Sequence, residues 1–128
     1  MAFLIGATLI LEKSFAYPYK IIERLVRQKV TGFPIVPTIA ALLLQMKDLG
    51  KFDFSCLRYI TNTADRLQVE TIRKLQRIFP HVRIYSMYGL TECKRVSYLA
   101  PDELKHRPKS VGKPMPAVEA FIVDDSGR

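Results

Sequence analysis

A chain of 128 residues with a formal net charge of +8 is long enough for one compact domain or for a slice of a larger one. Hydrophobic residues make up 48% and charged residues 25%, which excludes a disordered, collagen-like or disulfide-dense chain. The positive charge is compatible with a nucleic acid, a membrane surface or a nucleotide as partner. The basic residues are scattered, however: Lys20, Arg24, Arg27 and Lys29, then Arg73, Lys74 and Arg77, then Lys94 and Arg95, then Lys105 to Lys113. With no long Lys/Arg run, the surplus reads first as a solvated basic face.

Taken in chain order, residues 6–11 form an apolar run with β-branched members and predict a buried strand. Ile21, Ile22, Leu25, Val26 and Val30 recur at helical spacing, so residues 17–30 predict an amphipathic helix, with Gly32 as its left-handed terminator. Residues 32–36 predict a second strand. Pro37 and Thr38 open a second helix, which carries Ile39, Leu42, Leu43 and Met46 and ends near Gly50. Residues 57–61 predict a third strand. Asp65 is a candidate cap for a third helix with Leu67, Val69, Ile72, Leu75, Ile78 and Phe79 on its apolar side, stopped by Pro80. Residues 82–87 predict a fourth strand.

Residues 1–92 thus alternate strand and helix, the pattern of an α/β fold with a mainly parallel sheet. Residues 93–117 differ. The stretch from Ala100 to Pro116 holds four prolines and reads as loop. Residues 118–128 read as one more strand, 118–123, and a turn over Asp124, Asp125, Ser126 and Gly127. The most apolar stretch, residues 33–46, contains Pro34 and Pro37 and is too short to span a bilayer. The amino-terminal residues lack the basic region and cleavage site of a secretory signal. Cys56 and Cys93 are two isolated thiols, which points to a reducing, cytoplasmic setting.

Ligands of parallel α/β sheets bind outside the carboxyl ends of the strands. Two loops hold that position: Thr61, Asn62, Thr63, Ala64 and Asp65 after the third strand, and residues 86–92 after the fourth. In the second, Tyr88 offers a ring for stacking on a base, and Gly89 lets a ligand approach the backbone. Thr91 offers a hydroxyl to a phosphate oxygen. Glu92 offers a hard carboxylate of the kind that holds Mg²⁺. On these residues alone, an ordinary turn stays open beside a nucleotide site.

The run Tyr88-Gly89-Leu90-Thr91-Glu92 follows a strand. Some twenty residues on comes Ser110-Val111-Gly112-Lys113-Pro114-Met115-Pro116, and then Val118-Glu119-Ala120-Phe121-Ile122-Val123-Asp124. Upstream stands Val30-Thr31-Gly32-Phe33-Pro34-Ile35-Val36-Pro37-Thr38. In this order the segments resemble the acyl-adenylate-forming, AMP-binding superfamily over nearly the whole chain. That superfamily includes acyl-CoA synthetases, luciferases and peptide-synthetase adenylation domains, and the likeness is greatest to an acyl-CoA synthetase.

The resemblance implies an internal piece of a large amino-terminal AMP-binding domain. It implies that Tyr88 stacks on adenine, that Thr91 meets the α-phosphate, and that Glu92 holds Mg²⁺, with Thr91 and Glu92 the catalytic pair. It places Ser86, Met87 and Gly89 along the cleft. Thr63, Ala64 and Asp65 stand where the family has a glycine-rich adenine turn, and Ala117 also replaces a frequent glycine. The implied parent reaction uses ATP, Mg²⁺ and a carboxylic acid to make an acyl-AMP, whose acyl group passes to a thiol, coenzyme A. The general likeness to acyl-CoA synthetases implies a medium-to-long fatty acid first, with an aryl acid as the alternative.

The hydroxyl-rich loop ending in Lys, the ribose-binding Asp and the small domain with a catalytic Lys are family parts absent from these 128 residues. The chain alone is therefore expected to be inactive, and to self-associate through apolar faces or be unstable for its size. His81 and His106 are isolated and read as surface residues. Cys93 has no neighbouring His to activate it. The Lys94-Arg95 pair reads as solvated before it reads as a phosphate contact, and Gly112-Lys113 lacks the flanking residues of a P-loop. The rival class is a non-enzymatic basic module binding nucleic acid or protein, which predicts salt-sensitive RNA or DNA binding. The ligase reading predicts no nucleic-acid partner.

Overall fold

In the computed structural model, residues 2–93 and 95–127 are described. Lys94 of the Lys94-Arg95 pair and Arg128 lie outside them. Five strands form one sheet in chain order: β1 Gly32–Ile35, β2 Tyr59–Asn62, β3 Arg83–Tyr88, β4 Ser97–Leu99 and β5 Lys113–Pro114. Helix α1 spans Pro18–Arg27 and precedes β1. Helix α2, Pro37–Gln45, joins β1 to β2, and α3, Val69–Ile78, joins β2 to β3. Helix α4, Pro101–His106, lies between β4 and β5.

The first three strands pair in parallel, as the strand–helix alternation predicts. The β3–β4 and β4–β5 pairings are antiparallel, so the sheet is mixed. The expected loop over 93–117 therefore contains two short strands and a helix. The backbone's tertiary hydrogen bonds explain the difference. Val96 N–H donates to the Tyr88 carbonyl at 2.9 Å, and Met115 N–H donates to the Val96 carbonyl at 2.9 Å. Neither pairing leaves a periodic trace in so few residues.

Local chemistry accounts for the helix ends. Three of the four α-helices begin with proline, Pro18, Pro37 and Pro101, at the position where a missing N–H goes unneeded. Helix α3 instead begins after Gln68, and Asp65 is not its cap. The Asp65 carboxylate accepts a 2.6 Å hydrogen bond from Arg66 N–H, while Leu67 is buried between Asp65 and the helix. Helix α1 closes with Lys29 N–H donating to Val26 and Val30 N–H donating to Leu25, the paired bonds of a Schellman motif. Lys29, not Gly32, takes the left-handed conformation there, at φ 51°. Gly32 instead lies under the outer end of the Tyr59 side chain, where a Cβ would come within 2.3 Å of the ring and push it aside.

Alternation along the strands separates two faces. Phe33, Ile60 and Ile84 form one row across β1, β2 and β3. Ile35, Asn62, Ser86 and Leu99 form the next, reaching β4. Apart from the half-buried Phe33, both rows are buried; the core includes Ala40 and Leu43 of α2 and Ile72, Leu75 and Phe79 of α3 and its end. Helices α2 and α3 pack on one another. Phe79 meets Phe54 edge-on at 4.9 Å between ring centroids.

The apolar runs at the two ends behave differently. Residues 6–11 and 118–123 form no strand. Leu11 is 80% exposed, and Phe121 and Ile122 lie in water. An apolar strand needs a ladder partner as well as a cover, and neither run finds one among the described residues. The outer edge of β5 offers little, because Pro114 has no N–H to donate.

Two substitution pairs test the backbone argument. Gly112 has φ +83°, and a Cβ there would meet the Tyr98 carbonyl oxygen at 1.9 Å. Gly112→Ala is expected to lower unfolding free energy by at least about 2 kcal/mol in urea titrations, combining left-handed strain and overpacking. Gly50→Ala, with open space around the glycine, is the near-neutral control. Ala64 and Ala117 also have positive φ, 73° and 64°. Ala64→Gly is expected to be neutral or stabilising by up to about 1 kcal/mol, whereas Ala41→Gly on the exposed side of α2 should cost about 1 kcal/mol.

Candidate nucleotide site

Because β2 and β3 are parallel neighbours, the loops that follow them emerge side by side. Between them lies a groove of about 630 Å³, lined by Thr63, Ala64, Met87, Tyr88, Gly89, Leu90, Thr91 and Glu92. That volume lies in the range of roughly 300–1,000 Å³ usual for small-molecule sites. It stands at the carboxyl ends of the parallel strands, where ligands of such sheets are expected. A second hollow of about 400 Å³ is lined by Gly50, Asp53, Ser55, His81 and neighbouring apolar residues. Its residues precede β2 and β3, so it lies at the opposite ends of the strands. Its acid, Asp53, is held below the usual carboxylate range by the Ser55 backbone N–H, then by the Ser55 hydroxyl.

Seven of the nine residues singled out in the sequence line the groove: Thr63, Ala64, Met87, Tyr88, Gly89, Thr91 and Glu92. Ser86 is not on its wall. Its side chain belongs to the buried row and sits beneath the groove. Asp65 is exposed just past the turn, with its carboxylate engaged by Arg66 N–H. Leu90, a lining residue the sequence reading did not single out, is 54% exposed. An exposed leucine inside a polar loop is the signal that marks it.

Each wall is held differently. Tyr88 is the last residue of β3; the residue is 44% exposed, while its carbonyl is fixed by Val96 N–H. Leu90 N–H reaches the Cys93 carbonyl at 3.3 Å, which folds residues 90–93 into a tight turn and presents Thr91 and Glu92 outward. On the facing wall, Thr63 N–H donates to the Ile35 carbonyl at 3.1 Å and Ala64 is left-handed. Glu92 makes no ion pair among the described residues. Those residues contain no group of three potential ligands, so Glu92 is a single carboxylate donor. Mg²⁺ suits such a place, because it keeps several waters and takes one or two carboxylates together with phosphate oxygens. Cys56 is half-buried and Cys93 exposed, neither in a disulfide. Among the described residues, no helix is long and apolar enough to cross a membrane.

The family model described as "AMP-binding enzyme" matches residues 1–128. An uncharacterised acyl-CoA ligase of Bacillus subtilis (strain 168), YhfT, is 31% identical over 123 residues, covering 96% of this chain and 25% of that protein. An L-proline–[L-prolyl-carrier protein] ligase of Streptomyces coelicolor is 30% identical, covering 83% of this chain and 21% of that protein. The solved anthranilate CoA ligase AuaEII, in complex with anthranoyl-AMP, superposes with a TM-score of 0.86 at 28% identity, over 96% of this chain and 24% of that one. The chain thus spans about a quarter of the length of the relatives it matches. With its whole length matched by the family model, the chain belongs to the AMP-binding enzyme family.

Proposed function

We propose that this chain is one wall of the nucleotide site of an ATP-dependent acid–thiol ligase. The observation that carries the reading is the groove itself, which sets the Thr63–Ala64 turn opposite Tyr88, Thr91 and Glu92 at the ends of adjacent parallel strands. A base stacks on the Tyr88 ring with the Ala64 peptide on its other side. The Thr91 hydroxyl donates to an α-phosphate oxygen. Glu92 would hold Mg²⁺, which when bound neutralises phosphate charge.

The reaction class follows from the family and from the likeness to acyl-CoA ligases. A carboxylate oxygen of the acid attacks the α-phosphorus of ATP. The bond from that phosphorus to the β-phosphate's bridging oxygen breaks, and pyrophosphate leaves. A thiol then attacks the acyl carbon, the bond to AMP breaks, and the thiol proton passes to solvent. The contribution of this chain is positioning and charge stabilisation, since a backbone turn, a ring and a hydroxyl perform no covalent step. Coenzyme A is the acceptor favoured by the likeness to acyl-CoA ligases; the carrier-protein ligase among the relatives makes a carrier thiol the alternative. A medium-to-long fatty acid or an aryl acid is the substrate class. The two thiols outside disulfides favour a reducing, cytoplasmic compartment.

An amide-shift titration tests the reading. AMP or ATP with Mg²⁺ at millimolar concentration is expected to move Ala64, Tyr88, Gly89 and Thr91, and Tyr88→Ala should abolish those shifts. Glu92→Gln should remove the Mg²⁺ dependence and leave the base contact. The same purified chain, given a carboxylic acid, ATP and Mg²⁺, is expected to release no pyrophosphate. An untouched Tyr88 loop together with RNA-induced shifts at Arg73 and Arg77 would overturn the proposal in favour of a basic interaction module.

The exposed apolar ends lead to a second expectation. Leu4, Ile5, Leu11, Phe121 and Ile122 are each more than three-quarters exposed. Sedimentation velocity should show the chain self-associating as its concentration rises. Leu11→Lys combined with Ile122→Lys should return it to monomer. A monodisperse monomer with a high melting temperature would contradict this.

A further inference from the structure

At the carboxyl end of β2, Asn62 is completely buried, yet its amide is only half used. Nδ2 donates to the Asp65 carbonyl oxygen at 2.7 Å. Oδ1 meets no donor among the described residues. The outer members of the same row, Ile35 and Leu99, are apolar. Buried polar groups are ordinarily satisfied, and an acceptor left unmade is costly. Packing alone would favour a leucine at this position. The residue is explained by the one bond its Nδ2 makes, and that bond also fixes the amide's orientation, since the reverse would set oxygen against oxygen.

The bond closes residues 62–65 into a short turn. Thr63 N–H ties the start of that turn to the Ile35 carbonyl of β1. Beyond its end, the Arg66 guanidinium reaches the Lys109 carbonyl at 3.3 Å across an exposed surface. Between these ties sits Ala64, left-handed, on the groove wall that faces Tyr88. Of the two side chains that hold the turn, Asn62 is the short-range one with a buried donor.

We infer that Asn62 is a positioning residue for the nucleotide. By holding the Asp65 carbonyl it sets the Ala64 peptide at a fixed height opposite the Tyr88 ring, and so sets the width of the slot that takes the base. It touches no ligand itself and acts through the turn. The inference rests on the nucleotide reading given above.

Asn62→Leu removes the tie and the orphaned acceptor together while keeping nearly the same shape. AMP affinity, read from the Tyr88 amide shift, is expected to fall about fivefold or more, in line with the loss of one hydrogen bond's worth of turn order. Amide exchange at residues 64–66 should accelerate, with the melting temperature near that of the unaltered chain. Leu43→Ala, deep in the core, is the control: it should lower the melting temperature and leave both AMP affinity and exchange at 64–66 unchanged. If Asn62→Leu fails to fold, Asn62→Ser, whose hydroxyl is too short to span to Asp65, is expected to show the same weakened AMP binding. Equal AMP affinity in the unaltered chain and the folded variant would overturn the role of Asn62 alone. Absence of AMP binding by the unaltered chain would overturn the nucleotide reading itself, and that role with it.

Discussion

Asn62 and Ser86 are paired across β2 and β3, and the parallel pairing brings both strands to an end at the same edge of the sheet. From that register the groove follows. The turn after β2 and the turn after β3 are neighbours because their strands are neighbours running the same way. A shift of one residue would exchange the two faces of a strand, putting Met87 and Thr61 into the core and Ser86 and Asn62 outside. The register is held by the rows Phe33–Ile60–Ile84 and Ile35–Asn62–Ser86–Leu99, whose members on one face are mostly buried. Core packing and site geometry are thus one constraint here.

The antiparallel half supports the same edge from the other side. Once β3 ends at Tyr88, the chain folds back through β4, and Val96 N–H takes the Tyr88 carbonyl. Ser97, buried in β4, donates its hydroxyl to the Val111 carbonyl at 2.6 Å, which draws the segment after α4 against the hairpin. Gly112 then passes so close to the Tyr98 carbonyl that no side chain fits. The Tyr88 ring therefore projects from a backbone fixed on both sides. A stacking surface gains from this, since with the backbone already held only the side chain is left to order when a base binds.

The parallel half was legible in the residues because its signals are local. Each helix writes its apolar stripe within ten or so residues, and proline stands at two of the three starts. Seven of the eight groove residues, all but Leu90, are named from the loop positions together with the family resemblance. What was not legible depends on contacts distant in sequence. Strand β4 has three residues, Ser97, Tyr98 and Leu99, and exists because of Tyr88 and Lys113. The Asp65 cap failed because a closer donor, Arg66 N–H, took the carboxylate before the helix began. Residues 118–123 have a strand's composition, yet composition reports a wish for cover, and pairing also needs a free edge. The motif places Ser86 on the wall, and the strand's alternation turns it inward.

Ala64 and Ala117 bring these points together. Both occupy positions where the family resemblance leads one to expect glycine, and both adopt the backbone conformation that glycine would favour. The fold has kept the turn's shape while the residue changed. For Ala64, keeping that shape costs about 1–2 kcal/mol of left-handed strain, so something nearby must hold it. Thr63 N–H on the Ile35 carbonyl and Asn62 Nδ2 on the Asp65 carbonyl bracket the strained residue on both sides. A glycine turn can find its ligand-bound shape by flexing. An alanine turn has fewer conformations to search and must be built in place, and the added methyl gives the wall facing Tyr88 an apolar atom to set against a base. The strain and the clamps are two parts of one arrangement, and they lie on the edge of the sheet where the groove is.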